Sequence, residues 1–326
     1  MHEQCSNSTR YERLADALLG RCVRPFAAGS PPGFVGHHWY KWSHLGRHVD
    51  LLDRLVAQAN ASYIVELGSF LGDSAAAWAR AIKRTRTDAV VVCMDTWLGD
   101  VNNWLWKRYW LGPQGPTGEP RIFEQFLANI VGDNLTDRVL PVRTSSTVGI
   151  RYLQRLLRQR LISRPSVIYL DAAHEYPETL HELELAWSLL RPGGILLGDD
   201  YDASWPGVVW SLNEFLAGRR PADVAHVRYA CGWAELLQPR RQNVSLPFLL
   251  TRGKLGNQWM VRKSSVKLSG QRGGQRAADL PAASHASNCF PPVEVSGWFP
   301  TRRAQHVVVE PRQQQLHRKR ERGTRR

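Results

Sequence analysis

From residue 63 onward the chain alternates short apolar runs with amphipathic stretches, five times over. YIVELG, AVVVCMD, RVLPVR, SVIYLD and GILLGDD read as strands. SAAAWARAIKR, IFEQFLANIV, GIRYLQRLLRQRL, TLHELELAWSLL and GVVWSLNEFLA read as the helices that follow them. Short runs that are apolar at nearly every position suit strands buried on both faces, and helices of ten or more residues are the crossovers that parallel strands require. The pattern predicts an α/β fold, a doubly wound (Rossmann-like) mostly parallel sheet with helices on both faces. Two later apolar runs, around Val224 to Tyr229 and Gln258 to Val261, are read as last, antiparallel strands.

Ahead of this rhythm lie a helical pattern at Tyr11 to Leu19 and a Gly/Pro-rich loop, AAGSPPGFVG. Leu45, Val49, Leu52, Leu55 and Val56 then follow at helical spacing. The expected organisation is residues 1–44 as a helical and loop extension, 45–263 as the Rossmann-like domain, and 264–326 as a low-complexity basic tail, disordered by composition. The net charge is +14, and residues 264–326 hold 12 Lys/Arg against 4 Asp/Glu, or +8 of it. Such a tail reads first as a solvated extension, and second as a weak contact for nucleic acid or an anionic surface.

No run approaches the ~20 apolar residues needed to cross a bilayer. The charged N-terminus, MHEQCSNSTRYERLADALLG, lacks a signal core. The five cysteines, Cys5, Cys22, Cys93, Cys231 and Cys289, show neither zinc spacing nor a paired framework. Reduced thiols and a cytoplasmic location are therefore expected. The sequons at Asn7, Asn60, Asn134 and Asn243 then count as chance matches.

In a doubly wound sheet, ligands sit beyond the carboxyl ends of the strands. The first strand runs into Glu66-Leu-Gly68-Ser-Phe-Leu-Gly72, whose glycines allow a tight turn and close approach of a ligand to the backbone. The dinucleotide fingerprint G-x-G-x-x-G is not met. The second strand ends at Asp95, placed either to accept the hydroxyls of a ribose or to cap a helix. The fourth ends Asp171-Ala-Ala-His174 and the fifth Gly198-Asp199-Asp200-Tyr201. Three carboxylates and an imidazole in one crevice repel unless paired, and an oxygen-rich set suits Mg²⁺ or another divalent cation. His174 is then placed as a general base beside such a cation. The Trp-rich stretch 97–120 reads equally as a lid over a pocket or as a helix packing its Trp residues on the core.

These residues together resemble class I S-adenosylmethionine (SAM)-dependent methyltransferases. The nearest look is the family of macrocin- and mycinamicin-type sugar O-methyltransferases and cephalosporin-hydroxylase-like proteins. The resemblance rests on VELGSFLGDSA, VVCMDTWLGD, VIYLDAAHEYPETLHELELAWSLLRPGGILLGDDYDASWPGVVWSLNEF and NQWMVRK. It implies that Glu66, Gly68, Ser69 and Gly72 hold SAM, that Asp95 holds its ribose, and that Asp171 also borders the cofactor. It implies that Asp171, Asp199 and Asp200 bind the metal and that His174 is the base. The reaction implied is SAM- and Mg²⁺-dependent O-methyl transfer to a small hydroxylated acceptor, a sugar or vicinal diol; a homo-oligomer is compatible with it. Two rivals stand beside this reading: an oxidising component of the cephalosporin-hydroxylase type, and a non-catalytic binder that uses the basic tail. No two-histidine, one-carboxylate iron set is evident at these strand ends, which ranks the oxidising rival lower.

Overall fold

The computed structural model describes residues 9–36, 45–58, 62–105, 115–201, 204–218, 224–229 and 258–265. Seven strands form one sheet: β1 (Tyr63–Leu67), β2 (Val90–Asp95), β3 (Val139–Arg143), β4 (Val167–Leu170), β5 (Ile195–Gly198), β6 (Val224–Tyr229) and β7 (Trp259–Lys263). Their order is β3-β2-β1-β4-β5-β7-β6. β1 to β5 run parallel, and β7 runs antiparallel to both β5 and β6. The expected doubly wound sheet is thus present, with the last two strands antiparallel as read.

Period-two alternation in the parallel strands builds a core on each face. Ile64, Val91, Cys93, Tyr169 and Leu197 face one cluster, covered by α2 (Val49–Gln58), α3 (Asp73–Arg84) and α5 (Ile122–Gly132). Val65, Leu67, Val92, Met94, Ile168 and Leu196 face the other. That face is covered by α1 (Arg10–Leu19), α6 (Ser146–Arg158), α7 (Tyr176–Leu189) and α8 (Pro206–Ala217). A five-residue helix, α4 (Val101–Leu105), follows β2.

Local chemistry sets the helix starts. Thr9 and Glu12 form a reciprocal capping box on α1, with Glu12 N–H donating to Thr9 Oγ1 at 3.1 Å and Thr9 N–H to Glu12 Oε2 at 2.9 Å. Helices α7 and α8 carry Pro177 and Pro206 in their first turns, where the missing N–H costs nothing. At the far end of α7, Lys263 of β7 donates to the carbonyls of Trp187 at 2.7 Å and Leu190 at 3.2 Å. That contact ties the edge of the sheet to the helix layer.

The topology reverses beside β1: the chain moves outward to β3, then returns to place β4 against β1. Leu67 pairs with Leu170, and Leu170 with Gly198. The residues just past these strands, Gly68, Asp171 and Asp199, therefore line one edge of the sheet. This is the switch-point crevice where ligands bind in open α/β folds.

Among the described residues, no helix is long and apolar enough to cross a membrane. Cys93 is free and buried. Cys22 is disulfide-bonded, which departs from the expectation of reduced thiols throughout. In the Trp-rich stretch, Trp97 is 1% exposed within the core, whereas Trp104 on α4 is 40% exposed. Trp106, Tyr109 and Trp110 lie outside the described residues, as do positions 266–326 and the expectations about the tail.

Candidate active site

The turn after β1 carries three left-handed residues in five: Gly68 (φ 84°), Phe70 (φ 42°) and Gly72 (φ 90°). At Gly68 a Cβ would overlap the carbonyl oxygen of Asp171 and lie 2.7 Å from Ala172 Cα. The glycine loop and the turn after β4 are thus in direct backbone contact. At Gly72 a Cβ would meet the Phe126 ring at 3.0 Å, so α5 closes on the loop from the other side.

Asp95 sits at the end of β2, and its carboxylate faces this loop. Oδ2 accepts the N–H groups of Ser69 at 2.9 Å and Phe70 at 2.8 Å, while Oδ1 accepts the N–H of Trp97 at 2.6 Å. Burial raises its pKa, and these N–H groups pull it partly back. Ser69 is 3% exposed.

Beneath the loop, Glu66 is fully buried on β1. Its carboxyl accepts the Ser74 hydroxyl, and the Cys93 thiol points at its other oxygen, 3.6 Å away. Burial pushes its pKa up to about 8, and the Asp171 charge adds to this against the Ser74 hydrogen bond. Glu66 is therefore protonated in the folded protein at neutral pH, while in the unfolded chain it ionises near pH 4.5. Its stabilising contribution is complete below about pH 4.5 and is lost as pH rises toward 8, by about 1.4 kcal/mol per pH unit. Glu66→Gln keeps an acceptor for Ser74 and removes the titration. Chemical denaturation between pH 5 and 8 is expected to show wild-type stability falling against this variant. Parallel curves would contradict the buried neutral carboxyl.

The turn after β4 brings the cluster together. His174 Nε2 lies 2.9 Å from Asp200 Oδ2 and 3.8 Å from Asp171 Oδ1, and Nδ1 lies 3.9 Å from Asp100 Oδ2. The Trp205 ring covers the imidazole, with centroids 4.2 Å apart at 32°. Burial alone would lower the His174 pKa; the Asp171 and Asp200 carboxylates outweigh it and hold it well above its ordinary value. Asp199 is more deeply buried. Its Oδ1 accepts the Asp200 N–H at 2.9 Å, and the Tyr169 hydroxyl stands 3.4 Å from both Asp199 Oδ2 and Asp171 Oδ2. Burial, with the charges of Asp171 and Asp200, pushes the Asp199 carboxyl up to about 7.

Carboxylate oxygens of Asp171 and Asp200 and a ring nitrogen of His174 lie within 4.8 Å of one another. Two hard anionic oxygens and one imidazole form a donor set that fits a divalent cation of the Mg²⁺ or Mn²⁺ kind. The sequence grouped Asp199 with Asp171 and Asp200. In the fold, the cluster within 4.8 Å is Asp171, His174 and Asp200, and Asp199 accepts the Asp200 N–H beside it.

Several supporting residues gave no signal in the sequence. Glu182 and Thr179 of α7 hold the backbone of Ala173: its N–H donates to Glu182 Oε2 at 3.4 Å, and its carbonyl accepts the Thr179 hydroxyl at 2.8 Å. Gly207, at the start of α8, packs so closely on the turn that a Cβ would overlap the His174 carbonyl. Asp100 faces His174 because its own Oδ1 is pinned by the Asn103 N–H at 2.6 Å. Glu182 and Thr179 cap the turn from the helix that follows it, while Gly207 and Asp100 reach it from segments after other strands, which no local period encodes.

Residues 65–201 match the model of a family described as "Methyltransferase domain". No curated protein sequence matches the chain. Among solved structures, the chain is similar to the O-methyltransferase from Bacillus cereus in complex with SAH, at 19% identity and TM-score 0.41, covering 81% of this chain and 93% of that one. It is also similar to the O-methyltransferase TomG from Streptomyces achromogenes, involved in tomaymycin synthesis and solved with SAM. Here the identity is 18% and the TM-score 0.42, over 68% of this chain and 80% of that one. The matched stretch runs from within β1 to the turn that carries Asp199 and Asp200, on a Rossmann-like α/β scaffold.

Proposed function

We propose that the chain is a SAM- and divalent-metal-dependent O-methyltransferase acting on a small hydroxylated acceptor, a sugar or vicinal diol. The observation that carries this reading is the backbone contact of Gly68 with Asp171, which sets the glycine loop directly against the carboxylate–imidazole cluster. A methyl donor on the loop and a hydroxyl at the cluster would then be neighbours. In this reading residues 45–263 form the catalytic domain, with 1–44 an extension and 264–326 a tail outside the chemistry.

Glu66, Gly68, Ser69 and Gly72 shape the seat of the methionine part of SAM, beside Asp171. Asp95 stands where the ribose would lie, with three of its acceptor positions already used by backbone N–H groups. Asp171 and Asp200 hold the cation, with Asp199 as the third carboxylate of the group. The cation would neutralise their charge and lower the pKa of an acceptor hydroxyl. With SAM bound on the loop, the hydroxyl oxygen would attack the sulfonium methyl in a single displacement, breaking the S–CH₃ bond and releasing S-adenosylhomocysteine (SAH). With the cation drawing on the charge of Asp171 and Asp200, the imidazole of His174 would no longer be held protonated, and it would take the hydroxyl proton. Orientation and charge stabilisation supply the acceleration.

The test is transfer of a labelled methyl group from SAM to a panel of sugars and catechols, with Mg²⁺ or with EDTA. Cation-dependent products heavier by one methyl group are expected. Undiminished transfer in EDTA would remove the metal from the account, and a product heavier by an oxygen atom would replace methyl transfer by oxidation.

A further inference from the structure

We propose that Trp97 is a positioning residue that presets the glycine loop and so sets affinity for the methyl donor, although it lies outside the loop itself. The proposal rests on reading Gly68 to Gly72 as the cofactor loop. Phe70 is bulky and left-handed (φ 42°), a conformation that persists only where its surroundings over-determine it. Both of its backbone polar groups are held: the N–H by Asp95 Oδ2 at 2.8 Å, and the carbonyl by the indole N–H of Trp97 at 2.8 Å. The next carbonyl, Leu71, accepts the Asn129 side chain at 2.9 Å.

Trp97 is itself fixed. Its own backbone is left-handed (φ 53°), with its N–H on Asp95 Oδ1 at 2.6 Å. Its ring packs on Phe123 and Phe126 at centroid distances of 4.6 and 5.0 Å. One carboxylate thus braces both strained residues, and the indole closes the link between them. A ligand seat held in its bound shape in advance has less ordering to undergo on binding. Trp78, on α3, is a natural control. It is fully buried in the same core, and its indole nitrogen has no hydrogen-bond partner among the described residues.

The experiment compares Trp97→Phe and Trp78→Phe in the full chain by SAH calorimetry, amide hydrogen exchange and thermal melting. Trp97→Phe is expected to weaken SAH binding about tenfold, the size of one lost hydrogen bond, and to speed exchange at Ser69 and Phe70. Trp78→Phe is expected to lower the melting temperature with neither effect. Equal SAH affinity and equal loop exchange in the two variants would overturn the proposal. If Trp97→Phe does not fold, Asn129→Ala tests the same clamp from the Leu71 side, with the same direction expected. A wild-type protein that binds no SAH would sink the cofactor reading itself; the exchange data would then judge the clamp separately.

Discussion

Asp171→Asn is expected to lower cation-dependent methyl transfer by at least about a hundredfold, within the range for removing a positioned charge from a reacting centre, while the protein stays folded. The backbone of Asp171 is anchored independently of its side chain, through its N–H on the Leu67 carbonyl at 2.9 Å. Its carboxylate lies close enough to those of Asp199 and Asp200 to raise the Asp199 pKa. Removing one negative charge relieves repulsion with Asp199 but also weakens the hold on the His174 imidazolium, so stability without added cation is expected to change little. Melting with and without Mg²⁺ separates the two effects. A ligand at a hundred times its Kd stabilises by about 2.7 kcal/mol. Wild-type protein is expected to melt higher with Mg²⁺, and the variant to melt at one temperature in both buffers. A cation-induced shift that survives in Asp171→Asn would move the metal away from this turn.

Gly68→Ala is the second large effect expected. Two costs add at this position. The backbone is left-handed (φ 84°), and a Cβ would overlap the Asp171 carbonyl, a rigid backbone group that cannot swing aside. Conformational strain of about 1–2 kcal/mol and overpacking of about 1–3 kcal/mol together predict a loss of about 2–5 kcal/mol, with displacement of the Asp171 turn. Gly118 isolates the first cost: its φ is 86°, with open space around the Cβ position. Gly118→Ala is expected to cost only about 1–2 kcal/mol. Urea midpoints of the two variants measure the difference, and equal midpoints would mean that the loop and the Asp171 turn are not in contact.

Much of this architecture was legible in the chain. The five apolar runs and their helices are periodic, and periodicity reports which faces are buried before any contact is known. The antiparallel strands at Val224–Tyr229 and Trp259–Lys263 were equally visible as short apolar runs. Strand order alone brings Asp171, His174, Asp199 and Asp200 to neighbouring strand ends, since β4 and β5 pair; the approach of Asp171, His174 and Asp200 to within 4.8 Å is set by side-chain geometry.

What the sequence hid lies in contacts across loops. Asp95 read as a ribose acceptor or a helix cap, but its carboxylate braces the backbone N–H groups of Ser69, Phe70 and Trp97. That geometry depends on left-handed turns at Phe70 and Trp97, which neither residue type favours. By sequence Trp97 is indistinguishable from its aromatic neighbours, and the packing of α5 separates its core role from the exposed Trp104. Trp205 and Asp100 reach His174 from segments 31 and 74 residues away in the chain. No spacing rule joins them.

The most direct measurement is calorimetric titration of the full chain with SAM, once with Mg²⁺ and once with EDTA. The account predicts saturable one-site binding in both buffers, because the glycine loop and Asp95 hold the cofactor without the cation. Absence of binding in both, from protein that melts cooperatively, would contradict the account at its centre.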